Sequence, residues 1–431
     1  MKYNSVVKLI ATTLVGVCLS TSVLALPETQ LTKQCKPLIN KNQKVPKPPI
    51  RGMTEKVHKR LTRAMELLAN DQYPEGIQAL KALFESSSDE YVKSVVAMNI
   101  ASAYSQQSDY KSALPYFENA LSFGEGQLDH DRLQGLRVNV ATLMYSVGNK
   151  QKAVELINDW LAKSIKDDPK VYYLLAAMKA EASKFKEALC PAYLAVKHED
   201  KPKKSYYNIL LLSHYEQKDI IGSTSVLKEM VEVFPRENSY WRQLSSMYLQ
   251  LDKTKDSLAV MEMLYLNGGF ETETDYKTLS SLFAYEEVSY RSAEILEEGL
   301  NKGIVKPEER NLKAIANNYR VSKEVDKAIV AFGRTAEAAD DGEHFLTQAD
   351  LYVEREKWTD AIKSLNKALK KGVEDTGRVY YTRGTAQANL GQCKSAMDSL
   401  ENATKYKTWR SRANAWIAYV KDKQQRNKCS S

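Results

Sequence analysis

The side chains with the most chemical potential are five histidines, at positions 58, 130, 198, 214 and 344, and five cysteines, at 18, 35, 190, 393 and 429. Catalysis needs such groups in close company, as a nucleophile elbow, a glycine-rich phosphate turn after a strand, or clustered histidines and carboxylates. The histidines are scattered instead. His198-Glu199-Asp200 reads as a solvated corner, Asp340-Asp341 as another, and Gly268-Gly269-Phe270 closes a helix as glycine does at helix C-ends. No two cysteines have the C-x-x-C spacing of zinc or thioredoxin-like chemistry. The expectation is a chain that is not an enzyme, with no catalytic residue, no metal and no cofactor.

The cysteines then read as disulfides, which requires an oxidising compartment. The first 25 residues supply a reason to expect one. Lys2 and Lys8 precede the apolar LIATTLVGVCLSTSVLA, which ends in Val23-Leu24-Ala25 with small residues where a signal peptidase cuts. Its five Ser and Thr residues make a poor permanent span, because a bilayer core asks for about 20 apolar residues. Cys18 suggests lipid attachment, but Val17 stands where a lipobox has Gly or Ala. Residues 1–25 are expected to be a cleaved signal peptide and the protein to be periplasmic. Removing them takes two lysines and leaves a formal charge of +6. That excess is too small for nucleic-acid binding, which shows a concentrated basic face.

The elements that carry these residues repeat. In YWRQLSSMYLQ, residues 240–250, Trp241, Leu244 and Tyr248 share one helical face and Ser245 leaves room for a neighbour. Ser257, Met261 and Leu264 make a second stripe after the short connection Leu251-Asp252-Lys253. The same pattern returns as Tyr276, Leu279, Ser280 and Phe283 with Ser292, Leu296 and Gly299, then as Leu312, Ile315, Ala316 and Tyr319 with Ala328 and Phe332. The period is near 34, and about ten units begin near 57, 94, 134, 169, 204, 238, 273, 309, 342 and 377.

This pattern resembles the tetratricopeptide repeat, large–x2–large–small–x2–aromatic followed by small–x3–large–x2–small. The resemblance implies an all-α, right-handed superhelical solenoid of about ten helix–turn–helix repeats, with a C-terminal capping helix. Four segments are expected: a signal peptide over 1–25, an extended Pro/Lys-rich segment over 26–56, the array over 57–409, and the capping helix and tail over 410–431. Pro46, Pro48 and Pro49 favour polyproline II, with Lys41, Lys44, Lys47 and Arg51 keeping the segment solvated. A capping helix antiparallel to the last repeat helix brings Cys429 back toward Cys393. Cys35 with Cys190 is then what remains, and it requires the N-terminal segment to fold back.

In this family the first helix of each repeat lines a groove through its positions 2, 5, 9 and 12. Carried onto this chain, those positions make Asn208, Arg242, Ser246, Lys277, Lys313, Asn317 and Arg320 candidate partner contacts, with Tyr173, Tyr215 and Tyr381 beside them. Lys313 and Asn317 match the residue types with which some family members clamp a peptide carboxylate. Glu343 and Asp350 depart from that clamp. The alternatives are a basic groove for an acidic segment and a hydrated inner wall with no single ligand. His214 occupies an aromatic position and reads as packing.

The layout, with stretches such as RSAEILEEGLNKGIVKPEERNLKAIANNYR and NAWIAYVK, resembles the periplasmic repeat proteins encoded beside TonB, ExbB and ExbD systems of gammaproteobacteria. That resemblance implies a non-catalytic scaffold in TonB-dependent uptake, with protein or peptide partners in the envelope and peripheral membrane association through them. An envelope assembly factor for cell-wall synthesis, secretion or outer-membrane biogenesis is the alternative. A small-ligand binder is a third reading and would need a closed apolar pocket.

Overall fold

A computed structural model describes residues 28–45, 47, 50–426 and 428–429. The expected leader and the three prolines of the N-terminal segment lie outside these. The described residues form two compact units, one ending at Pro235 and the next beginning at Arg236. Both are helical, with no strand among the described residues.

The first unit holds five helix–turn–helix pairs: α1 (Glu55–Ala69) with α2 (Tyr73–Ser86), α3 (Glu90–Gln106) with α4 (Tyr110–Gly124), α5 (His130–Ser146) with α6 (Lys150–Lys163), α7 (Pro169–Glu181) with α8 (Phe185–Lys197), and α9 (Lys204–Glu216) with α10 (Ile220–Val233). The second holds α11 (Asn238–Gln250) with α12 (Thr254–Leu266), α13 (Glu273–Tyr285) with α14 (Ser289–Asn301), α15 (Glu309–Val321) with α16 (Val325–Ala338), α17 (Glu343–Glu354) with α18 (Trp358–Lys371), and α19 (Thr376–Asn389) with α20 (Cys393–Thr404), and ends in α21 (Lys407–Gln425). Three pairs begin two to four residues ahead of the expected starts. Their first turns are polar and are fixed by side-chain caps, Thr54, Asp89 and Asp129, rather than by apolar periodicity. The final helix likewise starts at Lys407 rather than 410, because Trp409 packs back onto the last repeat.

One turn joins every pair. Its middle residue is left-handed in all ten: Asp71, Ser108, Gly148, Ser183, Lys218, Asp252, Glu287, Lys323, Glu356 and Gly391. The next residue's amide then reaches back five positions, as from Lys253 to Tyr248 at 2.9 Å and from Val288 to Phe283 at 2.8 Å. This is the Schellman geometry that ends a helix and reverses the chain. Only two of the ten positions are glycine. Elsewhere packing of the two helices outweighs a conformational cost of roughly 1 kcal/mol.

Packing follows the small positions. Ser245 and Ser257 are buried and bonded to each other at 2.8 Å, and Ser280 and Ser292 repeat the arrangement at 2.9 Å. At the equivalent place in the last pair, a Cβ on Gly384 would stand 2.6 Å from Leu400, so that crossing admits no larger residue. Around these notches Tyr276, Leu279, Phe283, Leu296, Ile315, Tyr319 and Phe332 form one core cluster. Fully burying a large apolar side chain contributes roughly 1.5–3 kcal/mol.

Residues 28–45 differ from the expected solvated tether. They run back along the first unit as a strap. Glu28 accepts a hydrogen bond from the Tyr193 hydroxyl at 3.4 Å, and Thr29 meets His214 Nε2 at 3.4 Å. Thr32–Gln34 form a 3-10 turn, Cys35 is joined to Cys190 of α8, and Thr29, Thr32 and Ile39 are buried. Lys41 then pairs with Asp167 at 2.5 Å, and Gln43 donates to the Ser164 carbonyl at 2.9 Å. In the second unit Cys393 is joined to Cys429, their Cα atoms 5.6 Å apart.

The strap explains His214, which is fully buried beside it. Burial lowers its pKa against the pull of Asp219, so the ring is held neutral. Asp219 Oδ2, an acceptor 2.9 Å from Nδ1, places the proton there and leaves Nε2 to accept from the Thr29 hydroxyl.

Glu229 is the opposite case. Burial pushes its carboxyl up to about 7 although the Tyr207 hydroxyl donates to it at 2.5 Å, and its second oxygen has no hydrogen-bond partner among the described residues. A carboxyl whose folded pKa is raised binds more protons folded than unfolded between its two pKa values. Stability therefore falls as pH rises from about 4.5 to about 7 and is flat above. Glu229→Gln is expected to remove that slope and to be roughly 1–3 kcal/mol more stable than the parent at pH 8. Unfolding curves at pH 5 and 8 check this. An unchanged difference between the two pH values overturns it.

Candidate partner-binding surface

The first helices of the second unit were expected to present a basic stripe, and the structure divides its members. Arg242 is engaged within the fold. Its Nε donates to Asp275 Oδ1 at 2.7 Å and its Nη2 to Asp275 Oδ2 at 3.0 Å and to the Gly269 carbonyl at 3.1 Å. Asp275 is 2% exposed. Burial alone would raise its carboxyl pKa, but Arg242, with the backbone amides of Glu271 and Thr272, holds it below the ordinary carboxylate range. The same carboxylate completes the capping box with Thr272 that starts α13. Arg242 thus ties one pair to the next.

Other members are engaged as well. Lys277 pairs with Glu273 at 2.5 Å, and Glu273 also accepts from Asn311 at 2.9 Å, linking α13 to α15. Arg320 lies over the Phe332 ring at 5.7 Å. Tyr381 stacks on Trp409 at 5.0 Å, and that indole nitrogen donates to Asp375. Arg242, Lys277, Arg320 and Tyr381, read from the sequence as contacts for a partner, each make an internal contact as well. The acidic departures are also spoken for: Asp350 accepts from Arg378 at 2.6 Å, and Glu343 accepts from the Glu374 amide at 2.7 Å. Burial raises the pKa of Asp350 even so.

Three expected residues remain open. Ser246 and Lys313 are exposed and Asn317 is half-buried, and none of them makes a side-chain hydrogen bond or ion pair among the described residues. Lys313 and Asn317 stand one turn apart on α15, so an amine and an amide face one side together. In the first unit, Asn208 and Tyr215 are exposed on α9, Tyr215 at 53%. Tyr173 stacks on Tyr206 at 4.6 Å and serves packing between α7 and α9.

The pairing that sequence reasoning missed has a signal. Arg242 and Asp275 are 33 residues apart, Glu309 and His344 are 35, and Asp375 and Trp409 are 34. Polar complements at one repeat period mark ties between neighbours. No group of three or more His, Cys, Asp and Glu residues able to hold a metal occurs among the described residues, and no helix there is long and apolar enough to cross a membrane.

Residues 346–417 match the model of the tetratricopeptide repeat family. The fold is that of a tetratricopeptide repeat protein. The matched stretch spans α18 to α20 with parts of α17 and α21, and the helix pairs before it carry the same turn and the same small-residue notches. No curated protein sequence matches the chain. Among solved structures it is similar to a tetratricopeptide repeat protein from Parabacteroides merdae, at 12% identity and a TM-score of 0.37 over 62% of this chain and 99% of that one. It is also similar to MamA from Desulfovibrio magneticus, at 16% identity and a TM-score of 0.34 over 42% and 98%. A third is YrrB, at 12% identity and a TM-score of 0.33 over 44% and 96%. Such a fold presents surface rather than a reaction centre, and its general role is to hold other proteins.

Proposed function

We propose that the chain is a non-catalytic scaffold that holds a polypeptide partner on the first-helix face of its second unit. The observation that supports this most is the open pair on α15, Lys313 and Asn317, whose donors are unengaged among the described residues while Arg242 of α11 and Lys277 of α13 hold internal ion pairs. A carboxylate, either a chain terminus or an acidic side chain, is the group those two donors suit.

The place proposed is the periplasm, and the partner a component of the cell envelope. The leader-like first 25 residues, the two disulfides and the resemblance to the proteins encoded beside TonB, ExbB and ExbD support an accessory role in TonB-dependent uptake. The alternative is an envelope assembly factor for cell-wall synthesis, secretion or outer-membrane biogenesis, supported by the leader and disulfides alone.

A photo-crosslinking residue at Lys313 is expected to capture an envelope protein in cells, and one at exposed Lys394 is not. Lys313→Glu should weaken retention of that protein ten- to hundredfold, the worth of one hydrogen bond to a charged group. Equal capture from both positions, or capture of cytoplasmic proteins alone, overturns the reading.

A further inference from the structure

We propose that the outer face of α1, with the basic residues just ahead of it, docks on a phospholipid bilayer bearing anionic headgroups. Residues 41–63 hold eight Lys and Arg against one Glu, seven of the chain's formal net charge of +8. On α1 the apolar side formed by Val57, Leu61, Ala64 and Leu68 packs into the first core cluster. Lys56, Lys59, Arg60 and Arg63 recur at spacings of three and four and so share another face, where all four are exposed.

Little on the protein answers this charge. Glu55 pairs with Lys59 at 2.6 Å, both largely exposed, and Arg60 donates to Ser86 at 3.2 Å. Lys41 is held by Asp167. Lys44, Lys47, Arg51, Lys56 and Arg63 form no ion pair among the described residues. The first helix of an array needs a polar outer face, but charges of both signs would meet that need. Here four cations stand against Glu55 and Glu66. A second basic helix, α21, divides its charge between two sides, Lys407, Arg410 and Lys421 on one and Arg412 and Lys423 on another.

The chemistry selects the partner. A specific acidic peptide is read by guanidinium forks in fixed geometry with an apolar anchor pocket. This face spreads its cations along a helix flank and a preceding segment instead. A planar array of anionic headgroups rewards number and reach rather than geometry, each Lys or Arg near the surface contributing roughly fivefold in partitioning. Ile50, beside Arg51 and fully exposed at 103%, adds an apolar group at the level where acyl chains begin.

The test is cosedimentation of the full chain with vesicles of phosphatidylcholine alone and with equal parts phosphatidylglycerol. Parent, variant and control share residues 1–25, so whatever those contribute cancels between them. Binding to the anionic vesicles is expected, weakening as added salt shortens the screening length from about 10 Å at 0.1 M to about 3 Å at 1 M. Neutralising Arg51, Lys56 and Arg63 to Gln is expected to cost about a hundredfold in partitioning. All three are exposed, so the fold is spared. The charge-matched control, Lys228, Lys255 and Lys394 to Gln, should bind like the parent. Equal binding to both vesicles, no binding to either, or equal loss in the control overturns the proposal. Capture by immobilised polyglutamate without vesicle binding would overturn it in favour of an acidic polypeptide.

Discussion

Replacing Cys35 and Cys190 by serine is expected to release the strap and to cost the first unit more stability than any other covalent change. The bond closes a loop of 155 residues, and the constraint on the unfolded chain grows with loop length. The loop-closure estimate is about 5 kcal/mol for this bond, against about 4 kcal/mol for the 36-residue loop of Cys393–Cys429. The two losses differ in kind. Without its tether the strap keeps polar contacts to Tyr193, His214, Asp167 and Ser164 and the burial of Thr29, Thr32 and Ile39. Hydrogen exchange is therefore expected to accelerate over residues 28–45 and along α8 and the turn after α9, with α1 to α4 little changed. In the Cys393 and Cys429 variant, faster exchange should be confined to α20 and α21. Unaltered protection of residues 28–45 without the first disulfide would mean that the strap seats by packing alone.

Arg242→Ala is expected to be the most damaging single substitution on the face first read as binding surface. It strips a fork from a carboxylate that is 2% exposed, and removing one partner of a buried pair costs about 3–5 kcal/mol. Arg242 itself is 30% exposed along its side chain, which places the loss near the lower end of that range. Arg242→Lys should recover part of it, because an amine supplies charge without the two-pronged geometry. In an Arg242→Ala, Asp275→Asn double variant the penalty should shrink, since no uncompensated charge is then left. Unfolding curves for the four proteins of this cycle give the coupling energy. A value below about 0.5 kcal/mol would show that backbone amides alone satisfy Asp275. One consequence is practical: loss of partner binding in an Arg242 variant reports on α13, and Lys313 is the position that tests the groove.

Much of this fold is legible in the sequence because each repeat states its own core. Trp241, Leu244 and Tyr248 announce a helix wherever they sit, and Ser245 announces the close crossing. Polar first turns are less legible. Asp89 and Asp129 cap helices through a single side chain, and no apolar period points to them. The internal contacts of the candidate site are less legible for a related reason. Position in the repeat tells which residues lie on the first-helix face, but it does not tell whether a neighbouring repeat supplies a counter-charge. Asp275 does so for Arg242 across 33 residues, whereas Glu273 pairs with Lys277 within α13 and Trp409 stacks on Tyr381 from the final helix. The strap was hidden most deeply, since Thr29, Thr32 and Ile39 have no pattern of their own and are buried only by residues that come much later.

The two disulfides also bear on the order in which the chain matures. Among the four cysteines after residue 25, the first is joined to the second and the third to the fourth. A chain threaded into an oxidising space from its N-terminus, and oxidised as each thiol arrives, reaches this set without reshuffling. Cys35 meets no competing thiol until Cys190 emerges, by which time α1 to α7 have been made. The strap must then wait for α9 and His214 before it seats, so the segment that emerges first is among the last in its unit to settle.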